Sequence, residues 1–231
     1  ENIRAIIDAG VDVARMNLSH GTYDVHEEVY ANVRKAADAT GKAVAVLVDL
    51  QGPKIRLGKF EAGPYELAVG DTFRITTDDI VGNKDLSSTT YAGLPGDVKE
   101  GDPILIDDGK VTLRVTGSEG NVVTTTVEIP GAVSNNKGIN LPGVAVNVPA
   151  LSEKDEEDLR WGLGLGADLI ALSFVRSADD IVRVHEIMAE EGRKIPVIAK
   201  IEKPQAVENL EAIIDAFDGI MVARGDLGVE L

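Results

Sequence analysis

Two textures alternate along the chain, and their order limits the fold more than any single motif does. Over residues 1–53, and again over 150–231, apolar runs rich in Val, Ile, Leu and Ala take turns with amphipathic stretches about 12 to 16 residues long. That is the pattern of parallel strands joined by helical crossovers. Strands are expected at Val11–Asn17, Ala43–Leu50, Ala167–Phe174, Pro196–Glu202 and Gly219–Arg224. Helices are expected at Asn2–Ala9, Asp24–Ala39, Glu153–Gly164, Ala178–Glu191 and Gln205–Phe217. Ser152 with Asp155, and Ser177 with Asp180, have capping-box spacing, and Pro204 suits a first helical turn.

Residues 54–149 read differently. No helical period is convincing there, while Thr, Val and Ile alternate with polar residues in "TFRITT", "KVTLRV" and "VVTTTVEI". Turn signals at Asp107-Asp108-Gly109 and at Gly117–Asn121 punctuate these runs. The expectation is an antiparallel β domain inserted into an α/β unit, with Pro53 and Pro149 near its hinges. The segments 1–53 and 150–231 together hold roughly 135 residues, whereas a closed (β/α)8 barrel takes about 250 residues and eight strands. They therefore form an open sheet or an incomplete TIM-type barrel.

With 44% hydrophobic residues, 231 residues can bury a substantial core. No apolar run reaches the roughly 18 to 20 residues of a membrane span, and the first residues lack the regions of a signal peptide, so a soluble, unexported, cytoplasmic protein is expected. The absence of cysteine excludes disulfides, thiolate catalysis and Cys-based metal sites. A net charge of -16 opposes nucleic acid and anionic membranes as partners, so an anionic ligand must be gripped by a local cluster of cations.

In parallel α/β folds ligands collect at the carboxyl ends of the strands. Those ends carry Arg15, Asn17, Ser19 and His20, then Asp49 followed by Arg56, then Ser173 and Arg176, Lys200 and Glu202, and finally Arg224, Gly225 and Asp226. Lys200 and Glu202 are two apart on a strand and share one side, so a cation and a carboxylate face one pocket. Glu202 and Asp226 on neighbouring strands offer two oxygens suited to Mg²⁺, beside which Lys200 can neutralise a transferring phosphoryl group. The competing reading is a plain salt bridge at a strand end. Arg15, Asn17 and Ser19 alternate, putting a guanidinium suited to phosphate beside neutral oxygens suited to a small cation or a sugar; a turn capping the next helix is the alternative. Asp107-Asp108-Gly109 reads as a hairpin turn, Lys137 as a loop cation able to reach a nucleotide phosphate, and the acidic run Glu153–Asp158 as a solvated first helical turn.

Taken together, "ARMNLSHG", "DLQGPKIRLG", "NNKGINLPG", "PALSEKD", "LSFVR", "AKIEKP" and "MVARGDLGVEL" resemble the pyruvate kinase family across essentially the whole chain. The resemblance implies phosphoryl transfer from phosphoenolpyruvate to ADP, giving pyruvate and ATP, on an Mg²⁺-dependent (β/α)8 barrel with an inserted mobile B domain. It implies that Arg15 binds the substrate phosphoryl group, that Lys200 stabilises charge in transfer, and that Glu202 and Asp226 hold Mg²⁺. The backbone around Gly225 and Asp226 would receive the substrate carboxylate. Arg56, Lys137 and the segment Asn17, Leu18, Ser19 and His20 would face the nucleotide. Asn17, Ser19, Asp49 and the Leu50 carbonyl match the family's monovalent-cation site, and the family suggests a homotetrameric parent.

Two departures from the family pattern carry expectations of their own. The chain lacks the family's first and last barrel strands and its C-terminal domain, so the full-length parent is expected to be active and this segment alone inactive. Lys54 stands where K⁺-using members carry Glu, so a tethered ammonium near Asp49, Asn17 and Ser19 is expected to make K⁺ dispensable. The alternatives are another Mg²⁺-dependent barrel enzyme acting on pyruvate or phosphoenolpyruvate, such as an aldolase or lyase, and a non-catalytic nucleotide-binding fragment.

Overall fold

The computed structural model describes residues 2–144, 146 and 148–230. The chain begins with α1 (Asn2–Asp8), β1 (Val13–Asn17), α2 (Tyr23–Thr40) and β2 (Ala45–Asp49). The middle supplies β3 (Tyr65–Leu67), β4 (Thr72–Thr76), β5 (Leu86–Ser88), α3 (Leu94–Asp97), β6 (Pro103–Ile106), β7 (Val111–Glu119), β8 (Val122–Ile129), β9 (Gly131–Val133) and β10 (Ile139–Asn140). It then resumes with α4 (Glu153–Leu165), β11 (Leu169–Leu172), α5 (Ile181–Glu190), β12 (Val197–Ile201), α6 (Pro204–Glu208), α7 (Leu210–Ala216), β13 (Gly219–Val222) and α8 (Arg224–Glu230).

Two compact units result. The first comprises the residues up to Pro53 and Pro149–Ala223, and the second comprises Lys54–Val148 with the α8 segment. In the first unit five strands pair in parallel in the order β1-β2-β11-β12-β13. Sequential order with a helical crossover between neighbours is the connectivity of a (β/α)8 barrel, of which this unit is an incomplete, curled part. Val46, Val48, Ile170, Ala171, Leu172, Val197 and Ala199 are fully buried, which is why these strands read as continuous apolar runs. Helix α4 lies close over β2 because Gly162 leaves room: a Cβ there would stand 3.3 Å from both Val48 methyls.

Element ends follow local chemistry. Asp155 closes the capping box of α4, accepting from the Ser152 N–H at 2.9 Å, and Gly166 ends the helix at φ 102°. Its other oxygen, Oδ1, accepts from the Gly52 N–H at 2.9 Å, tying the bend after β2 to the helix start. Asp158 accepts from the Tyr23 hydroxyl at 2.6 Å and pairs with Lys154, while the Tyr23 ring stacks on Trp161 at 4.6 Å. The acidic run is therefore not simply solvated: Asp155 and Asp158 are fully buried, each matched by donors. Burial and the Asp158 carboxylate together push the Tyr23 hydroxyl pKa well up. The segment 178–191 opens as a short 3₁₀ turn before α5, and 205–217 breaks into α6 and α7 at Asn209.

Gly164 sits in the exposed face of α4, has no positive φ, and would place an added Cβ with no atom within 4 Å. Gly164→Ala is therefore expected to stabilise the protein by about 0.5–1 kcal/mol, through reduced chain entropy. A thermal-unfolding midpoint that fails to rise would refute it.

The second unit holds a six-stranded sheet ordered β10-β6-β7-β8-β4-β5 and a two-stranded sheet β3-β9. All pairs are antiparallel except β4–β5, which the loop 77–85 connects as a parallel pair. Phe73, Ile75, Leu57, Leu94, Ile104 and Leu113 centre its core. Asp107 and Asp108 form the β6–β7 turn with positive φ, a conformation Asp tolerates better than most residues. The next turn is tighter than the glycine pattern suggests: Gly117 lies inside β7 at a register shift, and the chain reverses at Gly120-Asn121. Helix α8 belongs to this unit, where Asn140 Nδ2 donates to Glu230 Oε1 at 2.8 Å.

Candidate active site

In the first unit the strand ends converge on a buried charge cluster. Asp49, the last residue of β2, is 1% exposed, and its Oδ2 accepts from Arg15 Nε at 2.6 Å, with Arg15 Nη2 at 2.5 Å. Lys200 reaches up from β12 and places Nζ 3.3 Å from Asp49 Oδ1, 3.0 Å from Glu202 Oε1 and 2.7 Å from Ser173 Oγ. The Asp49 Oδ1 contact is an ion pair without hydrogen-bond geometry. Ser173 in turn donates to the Leu50 carbonyl at 2.7 Å, and Glu202 Oε2 accepts from the Phe174 N–H at 2.7 Å.

Each group is held by a named element. β12 carries Lys200, and Glu202 follows one residue beyond the strand's end at Ile201, on the side where its Oε1 meets Lys200 Nζ, while Ser173 and Phe174 follow β11. Phe174 adopts φ 55°, a left-handed conformation that costs an aromatic residue of order 1 kcal/mol. Here it turns the backbone N–H onto Glu202, and Lys203 lies 5.6 Å from the ring centroid. Two cations and two carboxylates thus meet at the strand ends, with Lys200, itself largely buried, touching both buried carboxylates. Arg15 remains half exposed, so its guanidinium can meet a ligand while anchored to Asp49.

The segment Asn17–His20 is folded as a turn. Asn17 Oδ1 accepts from the Ser19 N–H at 3.1 Å, the Leu18 N–H donates to the Asp49 carbonyl at 3.0 Å, and the His20 N–H donates to the Asn17 carbonyl at 3.3 Å. His26 Nε2 lies 2.8 Å from the His20 carbonyl, fixing the turn to α2. Of the four expected monovalent-cation ligands, Asn17, Asp49 and the Leu50 carbonyl already have protein partners.

In the second unit the cations gather around a loop. Arg56 Nη1 donates to the Asn136 carbonyl at 3.0 Å, and Lys137 Nζ stands 3.1 Å from Asp107 Oδ1. Lys110 bonds the same carboxylate at 2.9 Å, and this bond leads the effects that hold the Asp107 pKa below its ordinary value. Lys54 packs along Gly138 and pairs with Asp226 at 3.5 Å. Two expectations shift here. Lys54 takes Asp226 as its ion-pair partner, while both oxygens of Asp49 are occupied by Arg15 and Lys200. Gly225 and Asp226 stand in the first turn of α8 rather than at a strand end, because β13 stops at Val222 and the chain turns helical at Arg224.

Arg15, Asp49, Lys200 and Glu202 are thus brought together in one unit, and Lys54 with Asp226, and Arg56 with the Lys137 loop, in the other. Ser173 proves to be a central member of the cluster, a role that its strand-end position signals but no motif does. The left-handed Phe174 has no counterpart in the sequence, since "LSFVR" carries no signal for that conformation. Among the described residues no group of three or more His, Cys, Asp or Glu side chains is arranged to hold a metal. No helix among them is long and apolar enough to cross a membrane.

A family model described as "Pyruvate kinase, barrel domain" matches residues 1–231. The chain is 61% identical over 231 residues to a pyruvate kinase of Mycobacterium intracellulare, covering 100% of this chain and 49% of that protein. It is 59% identical over 229 residues to one of Mycobacterium tuberculosis strain H37Rv, covering 99% and 48%. Against one of Geobacillus stearothermophilus the identity is 44% over 230 residues, covering 98% and 39%. The chain spans about half the length of the first of these relatives.

Proposed function

The chain belongs to the pyruvate kinase family, and from that premise we propose that the full-length protein transfers the phosphoryl group of phosphoenolpyruvate to a terminal oxygen of ADP, giving ATP and pyruvate. The observation that carries the reading is the Lys200 ammonium, buried at the strand ends and held at once by Asp49, Glu202 and Ser173. Such a fixed charge needs no reorganisation when negative charge moves between donor and acceptor oxygens. Arg15, anchored through Nε and Nη2, presents its remaining edge to the substrate phosphoryl group. The P–O bond to the enol oxygen breaks, the bond to ADP forms, and the enolate left behind takes a proton at carbon to become pyruvate. Asn17–His20, Arg56 and Lys137 bind the nucleotide, and the backbone at Gly225 and Asp226 takes the substrate carboxylate.

Glu202 and Asp226 are the residues that would hold Mg²⁺. Both are hard oxygen donors, and a cation that keeps most of its ligands as water and substrate oxygens needs one or two such carboxylates. When bound, the ion supplies charge neutralisation on the phosphoryl oxygens. Each carboxylate now carries an ammonium partner, Lys200 at 3.0 Å and Lys54 at 3.5 Å.

K⁺ is proposed to be dispensable. The protein partners of Asn17 Oδ1, Asp49 Oδ2 and the Leu50 carbonyl, and the Lys200 ammonium 3.3 Å from Asp49 Oδ1, support this, since protein groups stand where a free monovalent ion would otherwise supply positive charge. Assay of the full-length protein for ADP-dependent consumption of phosphoenolpyruvate tests both readings. Activity is expected in K⁺-free buffer and is expected to change less than about two-fold on adding KCl. No ADP-dependent consumption under any salt would sink the kinase assignment, and a strong requirement for KCl would sink only the second.

A further inference from the structure

Asp107 holds two different ammonium groups with its two oxygens. Oδ2 accepts from Lys110 Nζ at 2.9 Å, and Oδ1 faces Lys137 Nζ at 3.1 Å. Lys110 belongs to the same turn and its side chain is 72% exposed, whereas Lys137 comes from the loop before β10 and is 35% exposed. The backbone fixes both attachment points. The Asp107 N–H donates to the Gly138 carbonyl at 3.0 Å, and the Leu57 N–H donates to the Lys137 carbonyl at 2.8 Å. Arg56 bonds the neighbouring Asn136 carbonyl and bridges Gly138, so Arg56, Lys110 and Lys137 gather around one loop of a protein whose net charge is -16.

We propose that Asp107 is a releasable counter-ion of Lys137 and so decides which anions this cation accepts. The proposal rests on the reading of Lys137 as a contact to nucleotide phosphates. A polyphosphate carrying several charges displaces the carboxylate from Lys137, while a single phosphate competes with it poorly. Lys110 makes release easy. When Lys137 turns to a phosphate, Asp107 keeps one charge-assisted partner in its own turn and is not stranded beside an incoming anion. The specificity arises from exchange of ion-pair partners at Lys137.

Asp107→Asn is a mild change for the fold, because Asn accepts the φ of 53° found there as readily as Asp does. Calorimetry of the full-length protein with inorganic tripolyphosphate and with inorganic phosphate reads the effect. Asp107→Asn is expected to bind tripolyphosphate about two- to five-fold tighter, the range a partly exposed ion pair supports, and to gain more for phosphate, narrowing selectivity. Glu119→Gln, an equal change of charge at the far end of β7, is expected to leave both affinities unchanged. In a Lys137→Met background the gain should vanish, and Lys110→Met alone should weaken tripolyphosphate binding in a way that Asp107→Asn cancels. No gain in Asp107→Asn, or an equal gain with Lys137→Met, would overturn the counter-ion role while leaving Lys137 a phosphate contact. If Lys137→Met itself leaves tripolyphosphate affinity unaltered, the assignment of Lys137 falls, and this proposal with it.

Discussion

Lys200→Met in the full-length protein is expected to lower turnover by about 10³-fold or more, the usual scale for removing a fixed charge from the centre of phosphoryl transfer. It is also expected to destabilise the fold. Asp49 and Glu202 are each 1% exposed, and removal of the ammonium that touches both leaves two buried carboxylates short of a positive charge, with Arg15 still at Asp49. Breaking a buried pair in this way costs about 3 kcal/mol or more unless a carboxylate takes up a proton. The two losses can be separated. Adding Glu202→Gln to Lys200→Met removes one of the excess buried charges, so the melting temperature should partly recover while activity stays absent. Lys200→Arg should retain charge and much of the stability but not the turnover, because a planar guanidinium cannot sit at 2.7–3.3 Å from Ser173, Asp49 and Glu202 as a single nitrogen does. Turnover above about a tenth of wild type in Lys200→Met would remove Lys200 from the reaction.

The cluster around Lys200 is legible in the sequence because strand period is a strong constraint. Once "AKIEKP" is taken as a strand, Lys200 and Glu202 must share a side, and β2 and β11 must deliver Asp49 and Ser173 to the same end of a parallel sheet. Helix ends are equally readable where a side chain writes the signal, as at Ser152 and Asp155. What stays hidden depends on tertiary partners. Nothing local announces that Asp155 and Asp158 are buried, since an acidic first turn looks the same whether it meets water or the Gly52 N–H and the Tyr23 hydroxyl. Lys54 lies beyond local reasoning for the same reason. Its nearness to Asp49 in sequence suggests that carboxylate as its partner, but Arg15 and Lys200 already occupy it, and Lys54 pairs with a helix some 170 residues further on. Sequence alone extends β13 to Arg224 because "GIMVAR" is continuously apolar up to its arginine, whereas the strand's end at Val222 is set by pairing with Ile201.

Gly52→Ala is expected to be the most damaging conservative substitution in the first unit. Gly52 has φ 74°, which an alanine adopts at a cost of about 1 kcal/mol. The added methyl would also stand 2.7 Å from both the Phe174 Cδ2 atom and the Ser173 Cβ atom, neither of which is the free end of a flexible chain. Phe174 is already in a left-handed conformation and its N–H holds Glu202, while the Ser173 hydroxyl links Lys200 to the Leu50 carbonyl. Relief therefore has to move the residues that position both Lys200 and Glu202. Strain of this kind, added to the φ penalty, sums to about 2–4 kcal/mol of lost stability. Because catalysis depends on sub-ångström placement, turnover should fall by about 10²-fold even in the fraction that remains folded. Gly10→Ala is the control for the conformational term: φ is positive there as well, at 105°, but no atom lies within 4 Å of the new methyl, so stability alone should fall, by about 1 kcal/mol, with turnover unchanged. If Gly52→Ala behaved like Gly10→Ala in both measurements, the contact with Ser173 and Phe174 would not be what holds the Lys200 cluster in place.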